Sequence, residues 1–274
     1  MQGLIASTAP LFEAPDVTIV SPWLLAGLAV AGVLAGVLNA IAGGGSFLTL
    51  PMLMLVGLSP SVANGTMRVA VLLQGVVVIA TFWKRGVRDK ETAPRILFPV
   101  LVGAFAGAYA ASHLEDAVLR PVFGVALVAW AVLLAARPGS FEKSGEAPRA
   151  VGAMAWVFAA LIGAYGGFMQ AGVGFPLLAL LVTYLGLSPV RANLVKVQIV
   201  VAYTIIALPV FAEAGQVAWR EGGLLAAGTM LGGWLGTRWQ VAGGARLIRR
   251  VVMIAVFVAG AAMIADAARR WGGL

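Results

Sequence analysis

Three cations sit inside apolar runs of this chain rather than in its loops: Arg68, Arg191 and Lys196. An ionisable side chain at such depth is costly and normally faces a polar path or a partner. Arg191 lies within two residues of a Ser-Pro helix start and is read as snorkelling to the segment end. Arg68 and Lys196 lie seven or eight residues beyond Pro60 and Pro189, about 10–12 Å along a helix. All eleven carboxylates fall in loops, tails or helix ends, so an interhelical ion pair is the weaker reading of these two cations and contact with an anion the stronger. Two glycine clusters point the same way: Ala42-Gly43-Gly44-Gly45-Ser46 and Ala171-Gly172-Val173-Gly174. Glycine lets a helix break and brings backbone N–H groups close to a ligand. A helix restarting after the break aims its positive end at that ligand.

Helical spacing of about 100° per residue places further polar residues beside the cations. Asn64, Arg68 and Gln74 share one arc of the 60–83 run, and Asn193, Lys196 and Tyr203 share the related arc of 189–211. Asn39, Ser46, Thr66 and Gln170 are candidate neutral ligands near the breaks, although each alone is more often a helix–helix hydrogen bond. Gln198 falls on another face and is assigned to packing or hydrogen bonding. His113 ends a run, where a surface histidine is expected. Nothing resembles a catalytic triad, a Walker loop or a paired-carboxylate site, so the chain does not read as an enzyme. With no cysteine and one histidine, thiolate and histidine-rich metal sites are excluded, and no cofactor is expected.

The elements that must position these residues are apolar. The chain is 61% hydrophobic and 11% charged, against roughly 25% charged in an average soluble domain. The net charge of +8 does not signal nucleic acid, because the cations cluster between apolar runs. Ten runs are visible: 22–42, 46–58, 60–83, 96–112, 117–136, 151–169, 174–187, 189–211, 222–239 and 248–268. Most approach the roughly 20 residues of a spanning helix. The short ones, 46–58 and 174–187, each follow a glycine cluster and either span or re-enter. Trp23, Trp83, Trp219 and Trp239 lie at run ends, as an aromatic belt would. The sets Gly103/Gly107 and Gly228/Gly232/Gly236 read as packing faces.

The chain also repeats itself. GGGSFLTLPMLMLVGLSPSVAN (43–64) aligns without gaps to GVGFPLLALLVTYLGLSPVRAN (172–193). At the same offset Phe82 meets Phe211, Gly86 meets Gly215, and Gln74 meets Tyr203, while Arg68 stands one position from the equivalent of Lys196. Twelve loop cations fall in 84–95, 137–149 and 238–250, against four (Arg120, Arg220, Arg269, Arg270) elsewhere. Lys and Arg concentrate in cytoplasmic loops, and holding the twelve inside requires the two halves to cross in opposite directions. The expected organisation is a tail (1–21), a first membrane repeat (22–136), a cytoplasmic linker (137–149) and a second repeat (150–274), with both termini extracytoplasmic. The tail lacks the basic start of a signal peptide. Inverted repeats place transporter sites near the bilayer midplane at broken helices.

At GVLNAIAGGGSFLTLPMLMLVGLSPSVANGT (36–66) the sequence resembles the sulfite exporter TauE/SafE family of membrane permeases, and GAYGGFMQAGVGFPLLALLVTYLGLSPVRAN (163–193) is similar to that family's repeated motif. The resemblance runs from about 22 to 268. It implies export or uptake of sulfur-containing anions such as sulfite or organosulfonates. Val173 in place of a glycine and Val195 opposite Thr66 depart from the pattern and weaken a symmetric role for both breaks.

The sequence therefore predicts an all-α integral membrane protein of about eight to ten helical segments in two inverted repeats with glycine-broken helices. It predicts a multi-pass protein of the cell membrane, with a small anion and the lipid bilayer as partners, no nucleic acid, and self-association left open. The predicted site comprises Asn39, Gly43, Gly44, Gly45, Ser46, Asn64, Thr66, Arg68, Gln74, Gln170, Gly172, Gly174, Asn193, Lys196 and Tyr203. A channel or permease for another solute, or a non-transporting assembly subunit, are the alternatives.

Overall fold

A computed structural model describes residues 22–136 and 150–241. The expected tail, the linker and the run at 248–268 lie outside the described residues. Within them the chain is helical throughout: α1 (Pro22–Ala42), α2 (Ser46–Leu55), α3 (Pro60–Lys84), α4 (Thr92–Ser112), α5 (Asp116–Ala136), α6 (Ala153–Phe168), α7 (Gly174–Leu178), α8 (Pro189–Glu213) and α9 (Trp219–Val241). A π-helical turn, Ala179–Tyr184, prolongs α7. These bounds follow the predicted runs closely. α3, α4 and α8 are long and apolar enough to cross a membrane. The ten residues of α2 rise only about 15 Å, half a hydrocarbon core.

Local chemistry repeats along with the sequence. Proline occupies the first position of α3 and α8, where its missing N–H costs nothing. Ser59 and Ser188 precede them in extended conformation, and their carbonyls accept the N–H of Ala63 and Ala192, each at 2.8 Å. Every described residue with positive φ is a glycine, and the six form three aligned pairs: Gly43 (79°) with Gly172 (81°), Gly57 (103°) with Gly186 (74°), and Gly86 (79°) with Gly215 (69°). Only glycine adopts this left-handed region without steric cost. The repeat is thus written into the backbone as well as the sequence.

Packing between helices is reciprocal. α6 lies along α4, with Gly103 against the backbone of Ala160 and Ala164, and Gly107 against Ala164 and Phe168. α1 lies along α9, with Gly228 against Ala29 and Gly232 against Val33 and Val37. Small residues let the backbones approach this closely. α3 and α8 pass each other at the centre, and their contacts run in opposite order. Gly65 near the start of α3 meets Phe211 near the end of α8, whereas Gly75 further along meets Val197 and Val201. The outer surface is apolar: Val30, Leu34, Phe98, Val102, Phe105, Trp156, Leu161, Ile205 and Leu231 are exposed, as hydrocarbon contact requires. Trp83, Trp219 and Trp239 are exposed at helix ends, the positions expected of an aromatic belt.

A side chain at Gly232 would meet the Val37 amide nitrogen at 2.9 Å, and the Val33 carbonyl oxygen nearer still. Because the obstacle is backbone, Gly232→Leu is expected to separate α9 from α1 and cost about 3 kcal/mol or more. Thermal unfolding of the detergent-solubilised protein should show this, while Gly223→Ala, where a Cβ meets nothing within 4 Å, should leave the midpoint unchanged.

Candidate functional site

The two glycine breaks touch. A Cβ built on Gly43 would lie 2.7 Å from Cα of Gly174, and one on Gly174 would lie 2.5 Å from Cα of Gly43. The rings of Phe47 and Phe175, which follow the breaks, stack with centroids 5.7 Å apart. Gly44 and Gly172 are held against these rings, Gly44 against Phe175 and Gly172 against Phe47. Gly45 seats α2 on the backbone of α1 at Ala35.

A helix that stops inside an apolar interior leaves its last carbonyls without partners. Here side chains from the opposite half supply them. The final turn of α6 is fully satisfied: Tyr165 O accepts from Met169 N (2.7 Å), Gly166 O from Arg68 Nη1 (3.2 Å), Gly167 O from Arg68 Nη2 (2.5 Å), and Phe168 O from Asn64 Nδ2 (2.8 Å). The end of α1 mirrors this arrangement. Asn39 O accepts from Lys196 Nζ at 3.0 Å, and Ala40 O accepts from Asn193 Nδ2. A cation at a helix C-terminus also meets the negative end of the helix dipole. Arg68 further donates from Nη1 to Gln170 Oε1 (3.0 Å) and lies 4.4 Å above the Phe211 ring.

The predicted arcs divide accordingly. Asn64 and Arg68 of α3 reach α6, but Gln74 turns to α1, donating to Gly36 O (2.9 Å) and accepting from Asn39 Nδ2 (3.0 Å). Asn193 and Lys196 of α8 reach α1, but Tyr203 turns to α6 and packs on Gly166. In each half the polar arc holds one helix of its own repeat and one of the other.

Six of the predicted residues line a single small cavity of about 20 Å³: Asn39, Ser46, Gln74, Gln170, Gly174 and Lys196. Its remaining wall includes Val71, Val78, Val173, Val197 and Val200. This volume holds about one water. Among the described residues no carboxylate lines it. Arg68 and Asn64 stand one layer behind, joined to the cavity through Gln170, whose backbone N–H reaches Asn64 Oδ1 at 3.4 Å. Thr66 is apart from it, accepting the Ala218 N–H (2.8 Å) at the entry to α9. Asn193 turns away toward Gln240 Oε1 (2.6 Å).

Arg191 stands at the start of α8 with its side chain 42% exposed, as a snorkelling cation would, and it also has a partner. Its Nε donates to Asp89 Oδ2 at 2.5 Å. Asp89 lies in the loop between α3 and α4, is only 3% exposed, and also accepts from the N–H groups of Glu91 (3.2 Å) and Thr92 (2.8 Å) and from the Thr92 hydroxyl (3.0 Å). Gln198 donates to the Asp89 carbonyl at 3.1 Å, the hydrogen-bonding role expected of it. Burial alone would raise the Asp89 carboxyl, but the Thr92 N–H, the Arg191 guanidinium and the Thr92 hydroxyl hold it below the usual aspartate range. The sequence signal was one of two acids, Asp89 and Glu91, among the cations of 84–95, which reads equally as a solvated loop. Sequence reasoning also passed over Tyr165 and Trp130. The Tyr165 hydroxyl donates to Ala171 O (2.6 Å) and accepts from Trp130 Nε1 (2.8 Å), bracing the second break.

A family model described as "Sulfite exporter TauE/SafE" matches residues 28–263. Curated relatives include "Probable membrane transporter protein ORF9" of Sinorhizobium sp, 28% identical over 89% of this chain and 93% of its own length. "Probable membrane transporter protein YfcA" of Escherichia coli (strain K12) is 27% identical over 90% of this chain and 92% of its own. A "Probable membrane transporter protein" of Haemophilus influenzae is 28% identical over 89% and 95%. No solved structure matches significantly.

Asp89→Ala removes the acceptor of the turn into α4 together with the ion pair, and is expected to cost about 2–3 kcal/mol. Because the folded carboxyl titrates below its unfolded value, this stabilisation is complete above the ordinary aspartate range and is lost only as pH falls below it. Thermal midpoints of wild type and Asp89→Ala measured from pH 7 down to pH 3 should therefore converge at the acid end.

Proposed function

Because this chain belongs to the sulfite exporter TauE/SafE family of membrane transporters, we propose that it carries small sulfur-containing anions, sulfite or organosulfonates, across the cell membrane. The site is the central cavity between two inverted repeats. The observation that carries this reading is the Lys196 ammonium position, buried at the meeting of the two breaks, lining a cavity to which no described carboxylate contributes. Ser46, the first residue of α2, lines the same cavity, so the positive end of a helix faces the same space. Oxyanions suit such a set: an ammonium, the amides of Asn39, Gln74 and Gln170, the Ser46 hydroxyl and the backbone of the breaks.

The opposed order of the contacts between α3 and α8 supports inversion of the repeats, and the cation-rich loops support cytoplasmic placement of 84–95 with both termini outside. The cavity is too small for an oxyanion as it stands, which fits a closed conformation. Entry requires α1 or α6 to move at its broken end. Arg68 acts one step removed. It holds the last turn of α6 and the Gln170 side chain, so it sets the shape of the cavity wall opposite Lys196.

Purified protein in proteoliposomes is expected to move sulfite and a short alkylsulfonate but not alkali cations. Lys196→Ala removes a charge-assisted contact and should lower the flux about 10–100-fold. Arg68→Lys should lose most flux despite its conserved charge, because an ammonium cannot reach Gly166, Gly167 and Gln170 together. Gly43→Ala should fail with them, through the contact with Gly174 and the left-handed backbone. Transport of both anions at the wild-type rate by an Arg68→Ala, Lys196→Ala double variant would overturn the assignment.

A further inference from the structure

We infer that Lys196 carries the proton of the transport cycle, its amine taking up a proton as the anion enters and releasing it as the anion leaves, so that anion and proton move together. The inference rests on the transport reading above and adds the coupling ion to it.

The two buried cations are nearly equivalent in sequence but not in their surroundings. Arg68 is surrounded by acceptors: Gly166 O, Gly167 O and Gln170 Oε1, with the Phe211 ring against the guanidinium. It cannot release its proton, and those groups stabilise a permanent charge. Lys196 has one hydrogen bond among the described residues, to Asn39 O. An ammonium carries three N–H groups, so two are left facing the cavity. Loss of one proton removes the buried charge and one of those two unmet donors. Lys196 is 2% exposed, and an unpaired buried charge is far more costly than a buried amine.

Among the described residues no acid lines the cavity beside it. Among the described residues α1, α2 and the cavity-lining part of α7 present no titratable side chain. The titratable or charged groups on the remaining elements around α8 are Arg68 and Lys84 of α3, Arg95 and Tyr109 of α4, Tyr165 of α6, Tyr184 beyond α7, Arg191, Tyr203 and Glu213 of α8 itself, Arg220, Glu221 and Arg238 of α9, and Asp89 in the adjoining loop; none of these lines the cavity. Asp89 is already committed to Arg191 and Thr92. Among the described residues no carboxylate lines the cavity that the Lys196 amine faces, so the cargo is the negative charge that meets it there. An anion entering from the open side makes the ammonium favourable, and the proton comes from water on that side. When the anion departs to the other side, the ammonium again lacks a counter-charge and returns its proton to water there. The loaded and empty cavities then carry the same net charge, which lets the empty carrier reset.

The test uses full-length protein in proteoliposomes containing the pH dye pyranine, with methanesulfonate as probe because this strong-acid anion brings no proton of its own. Wild type is expected to acidify the lumen as methanesulfonate enters, and its initial rate should fall as the external pH is raised. Lys196→Arg fixes the charge. Its flux should be lower, and what remains should bring no acidification and show a flat pH profile. Lys196→Gln provides a second variant with no proton to carry, and the wild-type measurement needs no variant. Wild-type methanesulfonate uptake without acidification, or an unchanged proton-to-anion ratio in Lys196→Arg, would overturn the inference while leaving the transport reading in place. A wild type that moves neither methanesulfonate nor sulfite would overturn both.

Discussion

Everything in the centre of this protein depends on how two helices are allowed to end in an apolar interior. α1 stops at Gly43 and α6 four residues before Gly172, and each stop exposes carbonyls that have no water to turn to. The solution is an exchange: α3 of the first half satisfies the end of α6, and α8 of the second half satisfies the end of α1. Asn64 and Asn193 play equivalent parts, and so do Arg68 and Lys196. Neither half could complete its broken helix alone, so the breaks meet, and a cavity forms where they do.

That exchange also explains why cations lie so deep in the chain. Each is positioned by the carbonyls at the end of a broken helix in the other half. The two have then diverged in use. Arg68 has three acceptors and works as a fixed clasp behind Gln170, whereas Lys196 keeps one acceptor and faces the cavity. A sequence repeat with near-identical motifs thus yields a site that is chemically one-sided, in keeping with the replacement of glycine by Val173 at the second break. The same one-sidedness appears away from the centre. The loop from α3 to α4 is fastened to α8 by the Asp89–Arg191 ion pair and Gln198. The loop from α8 to α9 is fastened by neutral bonds alone among the described residues, Gln216 to Ser112 O and Ala218 N to Thr66.

Much of this was legible without coordinates. Hydropathy, glycine content and the shortage of charge describe a bilayer solvent, and those are properties of composition. The repeat was legible because GLSP and the Ala-Asn pair recur in register. Three of the four GLSP residues meet a local backbone demand, as a left-handed glycine, an extended serine and a proline at the first helical position. Local demands leave local signatures. The packing glycines of α4 and α9 were legible from their four-residue spacing for the same reason.

What the sequence could not contain is which partner each polar side chain takes, because the partners lie about a hundred residues or more away: Arg68 with Gly166, Gly167 and Gln170, Lys196 with Asn39, and Arg191 with Asp89. Helical spacing put Asn64, Arg68 and Gln74 on one arc, but an arc of a central helix faces more than one neighbour, and only the packing of α1 and α6 on either side divided it. Spacing placed Arg191 at a segment end, but nothing local distinguishes a solvated Asp89 from one folded under a loop beside it. The chain by itself determined a membrane protein of duplicated, glycine-broken helices with two buried cations, since hydrophobicity and backbone freedom are properties of residues. Tertiary structure alone decided that one cation would be consumed in closing a helix and the other left facing a cavity, since that depends on how many acceptors the other half of the chain brings within reach.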